Sequence, residues 1–331
     1  MSAQPLLSVS HLRVEYPVRN QPPVRAVDDV TFAIEPHETV GLVGESGSGK
    51  TTIANAVLGF VPAAAGTITF DGEDIVGATR DRRRRLSASL QVVFQDPYSS
   101  LNPSRTIGTT LAETLRPHGS PSKAEAAERV ASILDRVGLD PAAADRFPNQ
   151  FSGGQRQRIS IARALIAAPR LVICDEPVSS LDLSVQAQVL NLLRGLQGEF
   201  GLSYLFISHD LAVVRHISAR IVVLYRGRVL EAGPAAVVYD NPAHPYTRTL
   251  LQSVPIPNPA QQRARRTARQ RSAPASEATV RRDSCQFAPR CPWAADICRE
   301  RQPPAELTTE GVQVACHRWR ELATLPVRQL A

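Results

Sequence analysis

The sequence has no run of 18 or more apolar residues, so no membrane-spanning helix is expected from it. The stretch Met1–Ser10 lacks the basic region followed by an apolar one that marks a secretory signal, and the expected compartment is the cytosol. Internal repeats are lacking. So is the length for two full motor domains, because 331 residues hold one large α/β domain and a smaller appendage. Cysteine is scarce and uneven. Of five, Cys174 stands alone, while Cys285, Cys291, Cys298 and Cys316 crowd near the end. A cytosolic chain is not expected to carry structural disulfides, so this cluster points to metal chemistry. Apolar residues are plentiful at 43%, enough for a sizeable core and against wholesale disorder.

The net charge of +7 is concentrated. Between Gln261 and Arg282 seven arginines face one acid, Glu277. No aromatic residue interleaves them, so the segment reads as a solvated linker, with nucleic acid or anionic lipid as the alternative. A second basic cluster, Arg80 and Arg82–Arg85, is read in the same way.

Leu7–Phe32 reads as strands around a Pro-rich loop (Pro17, Pro22, Pro23). Thr39–Val43 suits a buried strand, and a helix is expected from Gly49 to about Phe60. Thr67–Phe70 alternates and runs into Asp71-Gly72, a hairpin turn pair. From Asn102 to about Gly138 the pattern is that of a helical insert. Leu171–Cys174 and Tyr204–Ile207 are short apolar runs of the kind found in buried parallel strands, with the helical stretch Val185–Phe200 between them. Ile221–Tyr225 and Arg228–Glu231, joined at Arg226-Gly227, read as another hairpin. From Pro242 onward the chain is an appended, Pro- and Arg-rich region.

The strongest local signal is Gly44, Glu45, Ser46, Gly47, Ser48, Gly49, Lys50, Thr51, which fits G-x-x-x-x-G-K-[ST] without a mismatch and is followed by Thr52. Glycines let successive backbone N–H groups converge on phosphate oxygens, and the following helix start adds partial positive charge. Lys50 is expected to reach the β- and γ-phosphates and Thr51 to hold Mg²⁺. The run ending in Asp175-Glu176 supplies the matching carboxylates: Asp175 for Mg²⁺, Glu176 to polarise the attacking water.

At Phe151, Ser152, Gly153, Gly154, Gln155, Arg156, Gln157, Arg158 the sequence resembles the signature motif of ABC-type ATPases. The resemblance runs from Leu7 to about Gly233. It implies that Tyr16 stacks on adenine, that Gln95 is the Q-loop glutamine, that Ser180, Leu181 and Asp182 form the D-loop, and that His209 is the switch histidine. A strand aromatic in the core is the other reading of Tyr16. Ser152–Gly154 would open a helix, a second anion-binding start. In the family's layout it serves the nucleotide of a partner subunit, so a head-to-tail ATPase dimer is implied, with ATP between its halves.

Two further strings resemble the ATPase subunits of bacterial oligopeptide, dipeptide and nickel importers: Gln95–Pro103 and Asn241–Leu251. The fold this implies is a P-loop NTPase of ABC type: a RecA-like α/β core with a mostly parallel sheet, an antiparallel β subdomain and a helical insert. A small C-terminal metal- or cluster-binding extension follows. Residues 1–240 form the ATPase domain, with its helical subdomain at about 100–165. Residues 241–331 form the extension, with the Arg-rich linker at 261–282 and the four cysteines at 285–316. The cysteine pattern resembles one associated with an iron–sulfur cluster. Four thiolates suit [4Fe-4S] or tetrahedral zinc, but the close C-x2-4-C pairs usual for zinc are missing, and uncoordinated thiols are the third option. The implied assembly holds ATP, Mg²⁺, a second ATPase chain (a paralogue or a copy), two transmembrane permeases and an extracytoplasmic solute-binding protein. The ATPase would lie on the cytoplasmic face of the membrane. Peptide is the expected cargo, with nickel or another small solute as the alternative. A soluble ABC ATPase acting on nucleic acid is the remote one, since long coiled-coil insertions and tandem cassettes are missing.

Overall fold

The computed structural model describes residues 4–96, 100–119, 121–253 and 281–323. The linker residues 261–280, and Pro97, Tyr98 and Ser99 of the string after Gln95, lie outside the described residues.

Two sheets organise the chain. The smaller is antiparallel and contains β1 (Leu7–Val18), β2 (Gln21–Ile34), β4 (Ala65–Phe70) and β5 (Glu73–Asp74), in the order β2-β1-β4-β5. The expected Pro-rich loop does not occur there. Pro17, Pro22 and Pro23 lie within strands, and the turn is at Arg19-Asn20, where Asn20 takes a φ of 58°. The prolines are tolerated because β2 is an edge strand, Pro22 and Pro23 stand at its start, and Pro17 sits where the β1–β2 register shifts. The turn between β4 and β5 falls at Asp71-Gly72, both with positive φ.

The larger sheet contains β3 (Thr39–Val43), β6 (Leu90–Val93), β7 (Leu171–Asp175), β8 (Ser203–Ser208), β9 (Arg220–Tyr225), β10 (Arg228–Pro234), β11 (Glu306–Leu307) and β12 (Gln313–Val314). Their order is β11-β12-β10-β9-β3-β8-β7-β6. The run β9-β3-β8-β7-β6 is parallel, and β10, β12 and β11 add antiparallel strands at one edge. Every residue of β3, β7 and β8 is buried, as parallel strands covered on both faces require. Their side chains alternate between two cores. Leu171, Ile173, Leu205 and Ile207 join the small sheet and the helix Lys50–Leu58. Val172, Cys174, Tyr204 and Phe206 join the helices Gly153–Leu165, Leu183–Phe200 and Leu211–Ile217.

The insert holds the helices Ile107–Leu115 and Lys123–Arg136. The second opens on a reciprocal capping box between Ser122 and Glu125. Its apolar face (Val130, Ile133, Leu134) packs into the second core. That same core takes in Tyr246, Phe287, Cys285 and Cys298, and β12 pairs with β10. The described residues after 241 are therefore sewn onto the main sheet through their own strands and side chains.

Candidate active site

Parallel register sets the site. Asp175 lies opposite Ile207 and Val43 opposite Ser208, so the loops leaving β3, β7 and β8 emerge at one end of the sheet. Those loops carry the phosphate-binding string, Glu176 and His209.

The first loop turns tightly. A Cβ on Gly44 would lie 2.2 Å from the Leu224 carbonyl oxygen, and Gly49 takes a φ of 103° with its would-be Cβ 2.6 Å from the Ala26 carbonyl oxygen. Lys50 is 5% exposed, and its ammonium donates to the carbonyls of Gly44 (2.8 Å) and Glu45 (2.9 Å). Burial lowers the Lys50 pKa, while Glu176, Asp175 and Glu45 oppose the shift. The loop is thus wrapped around a cation before any phosphate arrives.

Thr51 Oγ1 donates to Asp175 Oδ1 at 3.3 Å, so the hydroxyl and the carboxylate expected to hold Mg²⁺ already face each other. Burial raises the Asp175 pKa, and the Thr51 hydrogen bond opposes it. Glu176 has a φ of 47°, left-handed and costly for a residue with a side chain. Its N–H is fixed to the Ile207 carbonyl (3.0 Å), and its carboxylate takes Gln95 Nε2 at 3.3 Å and meets His209 Nδ1 at 3.2 Å. Three residues assigned to catalysis from the sequence therefore meet on one carboxylate oxygen.

A cleft of 780 Å³ opens over the loop, lined by Glu45, Ser46, Gly47, Ser48, Gly49, Lys50, Thr51, Thr52, Gln95, Glu176 and His209. Tyr16 does not line it. It lies on β1 opposite Val24 and is 38% exposed, not a core aromatic. Ser152–Gln155 and Ser180–Asp182 do not line it either. Ser152 N-caps the helix Gly153–Leu165 with an exposed capping box: its Oγ accepts from Gln155 N–H, and Gln155 Oε1 accepts from Ser152 N–H. Asp182 caps the helix Leu183–Phe200, accepting from Ser184 and Val185 N–H, and the Ser184 hydroxyl holds its carboxyl below the ordinary range. The two starts pack together, since a Cβ on Gly154 would lie 2.6 Å from Val185 Cγ1.

Some of the site was not read from the sequence. Ala26, Thr249 and Leu250 also line the cleft. Glu45 is held by Tyr246 and Arg290, each far along the chain. The only sequence signal for these contacts was the string Asn241–Leu251, which contains Tyr246, Thr249 and Leu250.

The four late cysteines are free of disulfides, Cys285 and Cys298 buried, Cys291 and Cys316 half-buried. Burial pushes the Cys291 thiol up to about 11 and the Cys316 thiol up to about 12, and the neighbouring thiols push the same way. Backbone N–H groups oppose this at Cys285 (Phe287 and Ala288), Cys291 (Trp293) and Cys316 (Arg318). Among the described residues no group of three or more His, Cys, Asp or Glu is placed to hold a single metal ion. The placement of the four cysteines therefore supports neither the expected cluster nor zinc.

A buried lysine under a glycine-rich turn after β3, with carboxylates at the end of β7 one strand further across the sheet, is equipment for binding and hydrolysing a nucleoside triphosphate. On this sheet, with a helical insert, it defines an ABC-type P-loop ATPase. Residues 27–179 match the ABC transporter family, and residues 230–298 match the oligopeptide/dipeptide transporter C-terminal region. The chain is 46% identical over 310 residues to the oligopeptide transport ATP-binding protein OppF of Escherichia coli, covering 91% of this chain and 92% of that protein. It is 48% identical over 302 residues to a putative peptide import ATP-binding protein of Brucella abortus, covering 89% and 86%. A dimeric ATP-binding cassette bound to ADP and Pi superposes with a TM-score of 0.63 at 27% identity, covering 69% of this chain and 98% of that one. CbiO1 of Clostridium perfringens gives 0.65 at 26% identity, covering 75% and 94%. The chain belongs to the family of ATP-binding subunits of peptide ABC importers.

Proposed function

We propose that this chain hydrolyses ATP as one half of a head-to-tail dimer and thereby powers uptake of di- or oligopeptides through separate permease subunits. The observation that carries the reading is the division of its phosphate-binding parts: Lys50, Glu176, Gln95 and His209 share one cleft, while Ser152–Gln155 lie outside it. Each signature would therefore serve the nucleotide seated on the other chain, and Asp182 would couple the two sites. ATP joins the halves and its hydrolysis releases them, a shift driven by contacts present in one state only. Tyr16 would take the adenine once nucleotide and partner close the cleft.

Within the cleft, Lys50 and the N–H groups of Gly47–Thr51 receive the β- and γ-phosphates. Thr51 and Asp175 would hold Mg²⁺, which offsets phosphate charge when bound. Glu176 orients and deprotonates the attacking water, and His209 and Gln95 keep its carboxylate aimed.

The permeases would dock beside the insert. An exposed groove there is lined by Leu58, Phe60, Arg83, Gln91 and Pro117, with Phe60 64% exposed. No described helix is long and apolar enough to cross a membrane, so placement on the cytoplasmic face would come through those partners. A solute-binding protein would deliver cargo, and the second ATPase chain would be a paralogue or a copy. The division into residues 1–240 and 241–331 is kept as a functional one. Cys285, Cys291, Cys298 and Cys316 would hold an iron–sulfur cluster, fastening the small extension. The reading is tested with Glu176→Gln: it keeps ATP binding, loses hydrolysis and accumulates as an ATP-bound dimer. Wild-type turnover in that variant would refute the assignment.

A further inference from the structure

The extension reaches the phosphate loop at two points, and both end on Glu45. The Arg290 guanidinium donates from Nη1 to Glu45 Oε2 at 2.7 Å and from Nη2 to Oε1 at 2.8 Å, a bidentate pair. The Tyr246 hydroxyl accepts from the Glu45 backbone N–H at 2.9 Å. From the inside, Lys50 holds the Glu45 carbonyl. The second residue of the phosphate loop is thus gripped by its amide, its carboxylate and its carbonyl.

The outer grip is rigid. Tyr246 is wholly buried, and its ring lies 4.7 Å from that of Tyr225 and 5.4 Å from that of Phe287. The Arg290 guanidinium stands 5.6 Å from the Tyr225 ring centroid and 5.8 Å from that of Phe287. One aromatic block therefore joins β9, the helix Pro245–Ser253 and the segment after Cys285, and its two polar ends point at one loop residue. The charges matter as much as the shape. Glu45 puts a carboxylate on a loop that must accept a polyanion, and Arg290 supplies a counter-charge at hydrogen-bond distance.

The geometry points to Arg290 and Tyr246 as positioning residues for nucleotide binding: through Glu45 the extension sets both the shape and the charge of the phosphate loop. This rests on the loop being an ATP site, as proposed above. Arg290 and Tyr246 touch no nucleotide in this account. They act through Glu45, so their effect falls on affinity and KM more than on kcat.

The test is titration of the full-length chain with ATP and with ADP, alongside KM and kcat. Arg290→Ala is expected to raise the Kd roughly fivefold to twentyfold, in line with losing one charge-assisted pair. Arg290→Lys keeps the charge and recovers part of the loss. Adding Glu45→Gln to Arg290→Ala removes the carboxylate that lost its counter-charge, and affinity returns to within about threefold of wild type. Tyr246→Phe strips the hydroxyl acceptor and weakens binding by a smaller factor, about twofold to fivefold. If Arg290→Ala fails to fold, Arg290→Gln carries the test: it keeps a donor near Glu45 but loses the charge, and is expected to raise the ATP Kd about threefold to tenfold, whereas wild-type affinity in it overturns the inference. Wild-type affinity in Arg290→Ala, or no recovery in the double variant, overturns the inference while the ATP-site reading stands. A wild-type chain that binds no ATP overturns both.

Discussion

Gly49 and Ser152 each stand one residue before a helix proposed to hold phosphate, and the two starts are finished in opposite ways. Gly49 is left-handed, has no side chain and caps nothing, so the first-turn N–H groups of Lys50–Leu58 are left to a ligand. Ser152 sits in a closed capping box with Gln155, so its helix satisfies its own start. Lys50 is buried beside the first start, while Ser152 and Gln155 are exposed. The first start is a finished half-site. The second is satisfied by its own side chains, and in the proposed dimer the Ser152 hydroxyl would still have its proton to donate to a phosphate from outside.

The difference can be broken experimentally. The largest effect is expected from Glu176→Gln, which costs at least about 100-fold in turnover because it removes the base, yet leaves ATP affinity near wild type. Single-turnover hydrolysis measures it. Lys50→Ala comes next and acts on binding: loss of a charge-assisted contact raises the ATP Kd roughly 10- to 100-fold. Ser152→Ala sharpens the comparison most. The lone chain binds ATP as before, loses about 1 kcal/mol of stability with its cap, and turns over roughly tenfold more slowly once paired. Weakened ATP binding by the isolated Ser152→Ala chain would mean that both starts serve one nucleotide.

A third helix start gives the smallest effect. The Glu231 carboxylate accepts from the N–H groups of Ala243 and His244, at the entry to Pro245–Ser253. Burial pushes its pKa up to about 7 from 4.5. The folded chain thus binds this proton more tightly than the unfolded chain. Its contribution to stability is fully present below the unfolded value of 4.5 and is lost as pH rises through 7. Melting temperatures from pH 4.5 to 8 are expected to fall less steeply in Glu231→Gln than in wild type.

What the sequence made legible was local. The phosphate loop, the Asp175-Glu176 pair and the two hairpin turns at Asp71-Gly72 and Arg226-Gly227 each depend on neighbouring residues with a defined backbone need, and each stands where it was expected. The Pro-rich stretch was misread because proline excludes a central ladder position but not an edge strand or a register shift. The grip on Glu45 was invisible for another reason. An arginine 245 residues away carries no local pattern, and only folding of the extension against Tyr225 brings it there. The four cysteines are close in sequence, but their spacing in space was not readable, and among the described residues they form no group placed to hold a metal.

The central claim is that each ATP is held by one chain's cradle and another chain's signature. It is tested most directly by mixing Lys50→Ala protein with Ser152→Ala protein at concentrations where wild type is dimeric. Each variant alone is damaged at every composite site. A mixed dimer restores one site, the cradle of the Ser152→Ala chain facing the signature of the Lys50→Ala chain. With random pairing, an equal mixture is predicted to recover about a quarter of wild-type turnover. A mixture no more active than its two components would contradict the account.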